Sequence, residues 1–367
     1  MGKIALVCTG LGSVYRGYER FTQDLFNLLY DEIDVTLFKG AGSANGRQKT
    51  LPHVSYDNRI LRVLPLSNPY FFQHLSYAAF LIPALIRGDF SLVHYSEPGL
   101  GNLLYHARRL FRLKYRLLFS NGVGLSPAHC RRPDHLHELT ELYSKEALAS
   151  GIPQERISTI PYGFYSRNFL TRNHKLPLRE KYSIPLDKTV VLSVAAVNRT
   201  HKRIDYLLRE LSQLDDRFFL VMAGQVEDRS LVGIANALLP YRHRFLVVPF
   251  DKTPELYALS DLFVHTALEE GFCLALVEAM CAKLPVFAHD SPHFRWILGS
   301  DKGLSDLSVT GNLAEQIRAW IDNSTDERTI NSRQLMAVRR FDWENLKKKY
   351  LEMYDRVLSQ GHPGTDL

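Results

Sequence analysis

The feature that most constrains the fold is an alternation of short apolar runs with amphipathic helical stretches, which occurs twice along the chain. The first series opens with KIALVC at residues 3–8, followed by a glycine-bearing loop, a helical pattern and the run DVTLF at 34–38. Such an order begins a doubly wound α/β domain with a parallel sheet. The series restarts with TVVLSVA at 189–195. The sequence therefore predicts two successive α/β domains.

The boundary between the domains is predicted from composition. Residues 164–187 are polar and basic and show weak periodicity, which is typical of a linker. A length of 367 residues suits two domains better than one. We place an N-terminal domain at 1–168 and a C-terminal domain at 169–340, both Rossmann-like, and predict an amphipathic helix at 341–358.

The charge balance indicates an affinity for anions. The formal net charge is +6 and the sequence pI is near 9.0. Nucleic acid, an anionic membrane surface and a phosphorylated substrate all fit this charge. The chain lacks aromatic–basic interleaving, zinc-ligand spacing and a recognition-helix pattern, so nucleic-acid binding is disfavoured.

Cysteine usage and the first residues predict a cytoplasmic protein. The four cysteines form no C-x-x-C pair, and the apolar run at the start is too short for a signal peptide. No stretch is apolar and long enough to span a bilayer. The aromatic stretch 68–87 either packs on a core or contacts a membrane or a lipid acceptor, and we expect at most peripheral contact at the inner membrane surface.

The strongest functional signal lies at residues 261–286, DLFVHTALEEGFCLALVEAMCAKLPV. A buried strand, a turn, a mostly apolar helix and a second strand are predicted there in succession. Glu270 lies on the turn and Glu278 about two helical turns further on. Since the helix offers Glu278 no solvated face, the pattern favours a buried glutamate that is paired or functional.

The two glutamates flank a predicted helix N-terminus. Free N–H groups and the positive end of the helix dipole suit a phosphate at that position. A nucleotide sugar has a matching layout, with a sugar and a ribose on either side of two phosphates. The carboxylates could therefore accept hydroxyl groups at either end of such a ligand.

Two other ligand classes are disfavoured. A dinucleotide fingerprint beginning at Gly10 and Gly12 would need a glycine at position 15, where the sequence has Tyr15. His135 and His137 fall on a predicted helix with Leu136, Leu139 and Leu142; two residues apart, they would not share a helical face. We therefore expect no metal site there.

These fragments resemble the retaining glycosyltransferases of family 4, also called glycosyltransferase group 1. TALEEGFCLALVEAMCAKLPV is similar to the family's E-G-F-G-L segment with its second glutamate, E-A-M and G-x-P-V. Further similar fragments follow in the family's order: GYER at 17–20, IPYGF at 160–164, Lys202-Arg203, AGQ at 223–225, LYALSD at 256–261 and FDW at 341–343.

The resemblance implies the GT-B fold, in which two doubly wound domains face each other and the last helix returns to the first domain. It implies that Glu270 contacts the transferred sugar, Glu278 holds the ribose and Lys202 binds the diphosphate. Further donor-side positions are implied for the amides of Gly271, Phe272, Cys273 and Leu274, for the Gly17 loop that closes over the cleft, and for Gly224 and Asn121.

The chain departs from the family pattern at several positions. Ala195-Ala196 stands where the family has G-R, so Arg199 is a candidate substitute on the diphosphate. Asn121-Gly122 replaces a usual His-Gly, and Cys273 replaces a glycine. No D-x-D spacing is present, which favours a metal-independent enzyme without cofactors.

The sequence therefore predicts a retaining glycosyltransferase that moves a hexose from a nucleotide-diphosphate donor, UDP- or GDP-linked. The acceptor is left open among a glycan, a lipid-linked saccharide and a small molecule. Two alternatives remain: a nucleotide-sugar epimerase or hydrolase on the same fold, with Glu97 or Asp134 as the base, and a non-catalytic sugar-nucleotide-binding partner subunit.

Overall fold

The computed structural model describes residues 2–14, 16–55, 58, 69–122, 124–170, 175–322 and 326–360. Tyr15, and Asn68 at the start of the predicted aromatic stretch, lie outside these ranges. Two compact units are present: unit 1 holds the described residues of Met1–Gly163 and Leu346–Leu367, and unit 2 those of Phe164–Asn345.

Unit 1 is built on a parallel sheet. In the described part of the chain its strands are β1 (Ile4–Cys8), β2 (Val35–Lys39), β3 (Gln48–Thr50), β4 (Leu92–Tyr95), β5 (Arg116–Ser120), β6 (His135–Glu138) and β7 (Ile157–Thr159). The strand order is β3-β2-β1-β4-β5-β6-β7. The helices before β7 are α1 (Gly17–Leu29), α2 (Pro69–Gly88), α3 (Pro98–Leu110) and α4 (Glu141–Ala149). They bury apolar faces against the sheet, as the alternation predicts.

Unit 2 repeats this plan. Its described strands are β8 (Thr189–Val194), β9 (Phe218–Ala223), β10 (His243–Leu246), β11 (Leu262–Val264), β12 (Val286–His289) and β13 (Leu304–Ser305), in the order β10-β9-β8-β11-β12-β13. Its helices are α5 (Arg167–Leu170), α6 (Lys175–Lys181), α7 (Ile204–Ser212), α8 (Ser230–Leu238), α9 (Thr253–Leu259), α10 (Leu274–Cys281), α11 (Pro292–Leu298), α12 (Asn312–Asp322) and α13 (Glu327–Phe341). The last helix, α14 (Trp343–Ser359), contributes its residues from Leu346 onward to unit 1.

The order of the strands in each sheet determines where a ligand site can lie. In each sheet the chain runs outward in one direction from the first strand, and then continues on that strand's other side, so that β1 neighbours β4 and β8 neighbours β11. At such a reversal the loops after the two central strands diverge and leave a crevice outside their carboxyl ends. The loops that follow β8 and β11 carry Lys202 and Glu270.

One predicted helix is wrong. His135, Leu136 and His137 belong to strand β6, where residues two apart do share a face. Both histidines are fully buried, and each has its own partner: His135 Nε2 lies 2.8 Å from Ser158 Oγ, and His137 Nε2 lies 2.6 Å from the carbonyl of Ile160. Burial lowers the pKa of His135 to about 3 and that of His137 to about 4, so both are neutral members of the core.

The stretch predicted as a linker also has regular structure. It contains α5 and α6, and the Arg179 side chain is buried there. Arg179 donates to the carbonyls of Leu259, Leu186 and Lys188 and pairs with Asp261 at 2.6 Å. A single guanidinium with four partners thus joins α6 to the segments that lead into β8 and β11 of unit 2.

Within the described ranges, no helix combines the length and apolar character that crossing a bilayer requires.

Candidate functional site in unit 2

The loop after β8 fixes the position of Lys202. The side-chain oxygen of Asn198 accepts hydrogen bonds from the backbone N–H groups of Lys202 at 2.9 Å and His201 at 3.2 Å. Thr266, from the loop after β11, donates its hydroxyl to the Lys202 carbonyl at 2.7 Å. Arg203 follows with a left-handed backbone (φ 52°). The two loops are therefore joined by hydrogen bonds at the point where the sheet reverses.

Three basic side chains surround the Glu270 carboxylate. The Lys202 ammonium donates to Oε1, and His265 Nε2 lies 2.9 Å from the same oxygen. His201 Nε2 lies 3.9 Å from Oε2. The Glu270 side chain is only 8% exposed and that of Lys202 18%. An ion pair shielded to this degree is screened by solvent much less than a surface pair.

These neighbours decide the charge state of the site. Burial raises the pKa of Glu270, but the hydrogen bond from His265 and the charge of Lys202 outweigh it, so the pKa lies below its usual range. Burial lowers the pKa of His265, against the opposing effect of Glu270. At neutral pH the carboxylate is therefore ionised and the His265 ring is neutral, donating its Nε2 proton to Glu270.

The N-terminus of α10 follows directly. Cys273 precedes the helix with a left-handed backbone (φ 71°), a conformation that glycine adopts more readily. Phe272 is buried and packs edge-on against Phe341. Because α10 begins at Leu274, the N–H groups of Leu274 and Ala275 have no acceptor in a preceding helical turn, whereas the N–H of Leu276 donates to the Cys273 carbonyl at 3.1 Å. Free amides next to an ammonium form an arrangement that can stabilise an anionic group.

Glu278 is buried, as its apolar surroundings predict. It is 3% exposed, and the hydroxyl of Tyr257 donates to its Oε2 at 2.8 Å. The same hydroxyl lies 3.1 Å from the carbonyl of Ala275. Tyr257 itself is held by stacking on Phe263. The carboxylate is therefore fixed in position.

Two other predicted site residues of unit 2 have different surroundings. Arg199 Nε lies 2.8 Å from Asp228, its guanidinium also donates to Ser230, and its side chain is 43% exposed. Gly224 has φ 150°, and a Cβ there would lie 2.0 Å from the Ala195 carbonyl. Gly224 thus permits the segments that follow β8 and β9 to approach each other closely. The structure does not bring either residue into the cluster around Glu270.

Asn121 and Gly17 lie in unit 1. Gly17 is the first residue of α1. The amide group of Asn121 donates to the Glu138 carboxylate at 3.1 Å and to the Leu125 carbonyl at 3.0 Å, and its side-chain oxygen accepts from the Leu125 N–H at 2.7 Å. Asn121 therefore shapes the turn after β5.

Unit 1 also has a polar contact where its sheet reverses. Glu97, after β4, accepts hydrogen bonds from the backbone and hydroxyl of Thr9, after β1. Burial raises the pKa of Glu97 to about 7, although the Thr9 hydrogen bonds oppose this. Asp134, the other candidate base, pairs with Arg108 and accepts from the Leu117 N–H at 2.7 Å. Of the two, only Glu97 is placed where α/β sheets bind ligands.

Sequence reasoning missed His265, His201 and Tyr257 as members of the site. His265 had a readable signal, since a polar residue directly after the apolar run Leu262–Val264 stands at the carboxyl end of a strand. His201 and Tyr257 gave no comparable signal, because their contacts with Glu270 and Glu278 depend on tertiary packing.

A family model matches this region of the chain. Residues 175–335 match the model of "Glycosyl transferases group 1", a span that contains Lys202, Glu270, Glu278 and the loops that carry them. Over these residues the chain is similar to the glycosyl transferases group 1.

Curated relatives agree with the family. An alpha-galactosylglucosyldiacylglycerol synthase of Streptococcus pneumoniae is 23% identical over 63% of this chain and 63% of its own length. A phosphatidyl-myo-inositol mannosyltransferase of Mycobacterium leprae is 25% identical over 76% of each chain. An uncharacterized glycosyltransferase of Methanocaldococcus jannaschii is 21% identical over 96% of this chain and 94% of its own.

Solved structures share the fold. Sucrose-phosphate synthase from Thermosynechococcus elongatus aligns with a TM-score of 0.81 at 16% identity, over 98% of this chain and all of that one. Anabaena HepE, solved in complex with UDP-glucose, aligns with a TM-score of 0.77 at 18% identity, over 97% of this chain and all of that one. The predicted two-domain α/β architecture of GT-B is confirmed.

Proposed function

We propose that this glycosyltransferase is a retaining, metal-independent hexosyltransferase that uses a nucleotide-diphosphate sugar, UDP- or GDP-linked. The observation that carries the proposal is the shielded pair of Lys202 and Glu270 at the reversal point of the unit 2 sheet, beside the N-terminus of α10. HepE, a structural neighbour, was solved with UDP-glucose, which supports a donor of that class.

In this proposal the leaving diphosphate is stabilised by Lys202 and by the first-turn amides of α10. Departure of the diphosphate concentrates negative charge on its oxygens, and a preorganised ammonium and N–H groups stabilise that charge without reorganising. Glu270 is ionised and held by His265, so its carboxylate can accept hydroxyls of the transferred sugar. Glu278 is assigned to the ribose.

The acceptor class is narrowed by an exposed apolar face on α2. Phe71, Leu75 and Ile86 are each between 44% and 50% exposed and share one side of this helix. Tyr77, Leu81 and Leu85 of the same helix are buried, so the helix packs on unit 1 with its other face. With a net charge of +6, we infer peripheral contact of this face with an anionic membrane and a lipid-linked acceptor. Two relatives carry lipid names.

Replacing Phe71 and Leu75 together by serine should weaken binding to phosphatidylglycerol-containing vesicles about 30-fold, because each apolar side chain contributes on the order of 1 kcal/mol when it leaves water. Co-sedimentation measures the bound fraction. Leu335→Ser is the matched control, since Leu335 is 59% exposed on α13 of unit 2. Equal binding by the double variant and the control would remove the membrane proposal.

A thermal-shift panel of UDP, GDP, ADP and their sugars tests the donor. The cognate nucleotide sugar at about 100 times its Kd should stabilise the folded protein by about 2.7 kcal/mol, whereas the other nucleotides should shift Tm less. Nuclear magnetic resonance of the product should show the anomeric configuration of the donor. A uniform absence of shifts, or an inverted product, would contradict the proposal.

Glu97 favours a second candidate function, a nucleotide-sugar epimerase or hydrolase. Its pKa of about 7 and its place where the unit 1 sheet reverses are those of a general base at neutral pH. Incubation with the donor and no acceptor distinguishes the two, because an epimerase or hydrolase turns over without an acceptor and a transferase requires one.

A further inference from the structure

Glu270 also belongs to a second cluster, whose side chains together could ligate a metal ion. One ring nitrogen of His265, a carboxylate oxygen of Glu270 and the thiol sulfur of Cys273 all lie within 4.8 Å of one another. A nitrogen, an oxygen and a sulfur ligand at such spacing are a set that Zn²⁺ and Cd²⁺ accept, whereas Mg²⁺ prefers oxygen alone.

Each ligand is held by the fold. His265 directly follows β11 and is 2% exposed; its Nε2 contacts Glu270, while its Nδ1 has no hydrogen-bond partner among the described residues. Cys273 is fixed by the left-handed backbone that begins α10 and is only partly buried. The His265 ring, the Glu270 carboxylate and the Cys273 thiol are therefore held close together by the fold, at a residue, Cys273, that is only partly buried.

We propose that His265, Glu270 and Cys273 form an inhibitory site for a thiophilic divalent cation, with Zn²⁺ as the physiological ligand class. Binding forms metal–nitrogen, metal–oxygen and metal–sulfur bonds. The thiol proton leaves to solvent, and the proton that His265 Nε2 donates to Glu270 moves to Nδ1 by exchange with solvent, so that Nε2 can ligate the metal as a neutral imidazole. The cation takes the place of the Lys202 ammonium on Glu270 and thereby removes both groups from the donor. The site exists because this chain has a cysteine at 273, so a chain with glycine there lacks the sulfur ligand.

Lys202 should weaken the binding of a metal ion at this site. Its ammonium occupies Glu270 Oε1, and two cations this close repel each other. Lys202→Ala should therefore bind the metal more tightly than the wild type. A merely adventitious surface thiol would show no such dependence on Lys202.

The test is a Cd²⁺ titration of the full-length protein, followed by ultraviolet thiolate-to-cadmium absorption. We expect one equivalent to bind, and Cys273→Gly to lose the band, with the thiols of Cys8, Cys130 and Cys281 left in place as internal controls. Glycine readily adopts the φ of 71° at this position, so the variant should fold. His265→Gln should keep the band but weaken the affinity at least about tenfold.

Activity gives a second readout, which rests on the proposed function. Zn²⁺ should inhibit transfer, and its half-inhibiting concentration should rise at least about tenfold in Cys273→Gly, measured against that variant's own rate. A chelator should leave the wild-type rate unchanged. A band without detectable transfer would sustain the metal site and remove the transferase; transfer without a band, or a band that persists in Cys273→Gly, would remove the metal site.

Discussion

Lys202→Ala should lower kcat for glycosyl transfer about 10²–10³-fold, the loss found when one preorganised charge-stabilising group is removed. Lys202 is the cation on the Glu270 carboxylate and stands beside the start of α10. Its removal takes away stabilisation of the departing diphosphate and leaves Glu270 without its ammonium partner. Initial rates with saturating donor measure the change, and circular dichroism checks that the fold is retained.

Glu270→Gln separates charge from shape at the same site. Glutamine keeps the volume and can still accept from His265, but it cannot balance the ammonium of Lys202. We expect kcat to fall with it as well. Lys181→Ala is the matched control, since Lys181 forms a half-exposed ion pair with Glu255 in the same unit and exposed pairs contribute little. Wild-type rates in both Lys202→Ala and Glu270→Gln would overturn the proposed role of the pair.

Arg199→Ala tests the predicted substitute for the family arginine. In the structure its guanidinium is engaged by Asp228 and Ser230. If Arg199 acts on the diphosphate, its truncation should lower kcat as that of Lys202 does. A change confined to stability would restrict Arg199 to holding the loops after β8 and β9 together.

Much of the fold can be predicted from the sequence, because the strands of parallel sheets buried on both faces form continuous apolar runs. The runs that became β1, β2 and β8 have this form, and each is predicted to within one residue at either end. The same logic places Glu270 on a turn after a strand, whereas Lys202 is identified only through the family resemblance. Glu278 could be predicted as buried because its helix is apolar on most sides.

The errors arose where tertiary partners decide the outcome. Strand β6 reads HLHE and has no apolar run, and its buried histidines contact Ser158, Ser120 and the carbonyl of Ile160. The polar stretch that became α6 is held by the buried Arg179, whose partners include the Leu259 carbonyl and the Asp261 carboxylate, 80 and 82 residues further along the chain. No local pattern encodes such contacts, so propensity alone predicted a helix in one case and a linker in the other.

In the candidate site, too, the sequence predicts some features and tertiary packing decides others. A signature segment places Glu270 and Glu278 on one loop and one helix, but it does not report which side chains surround them. His265, His201 and Tyr257 enter through packing between neighbouring strand ends and helices. The histidines surround the Glu270 carboxylate, which is ionised beside the Lys202 ammonium. Tyr257 holds the Glu278 carboxylate through its phenol hydroxyl.

Glu278→Gln should raise the KM for the nucleotide sugar about 10²-fold and change kcat much less. A carboxylate that accepts two ribose hydroxyls makes two charge-assisted hydrogen bonds, each of which contributes roughly 1.5–3 kcal/mol. The ribose is remote from the reacting carbon, so the loss falls on the ground state and the transition state alike and appears in KM. Steady-state kinetics with varied donor measure both constants.

Tyr257→Phe is the partner variant that tests whether Glu278 acts by contact or by packing. It removes the hydroxyl that donates to Glu278 at 2.8 Å and keeps the ring stacked on Phe263. Loss of one positioning hydrogen bond should cost about 1 kcal/mol, a rise in donor KM of less than tenfold. If Glu278 had only a structural role, Glu278→Gln would lower Tm through the lost carboxylate contact with Tyr257. The donor KM would then stay unchanged, because a glutamine of the same volume fills the same space between α9 and α10.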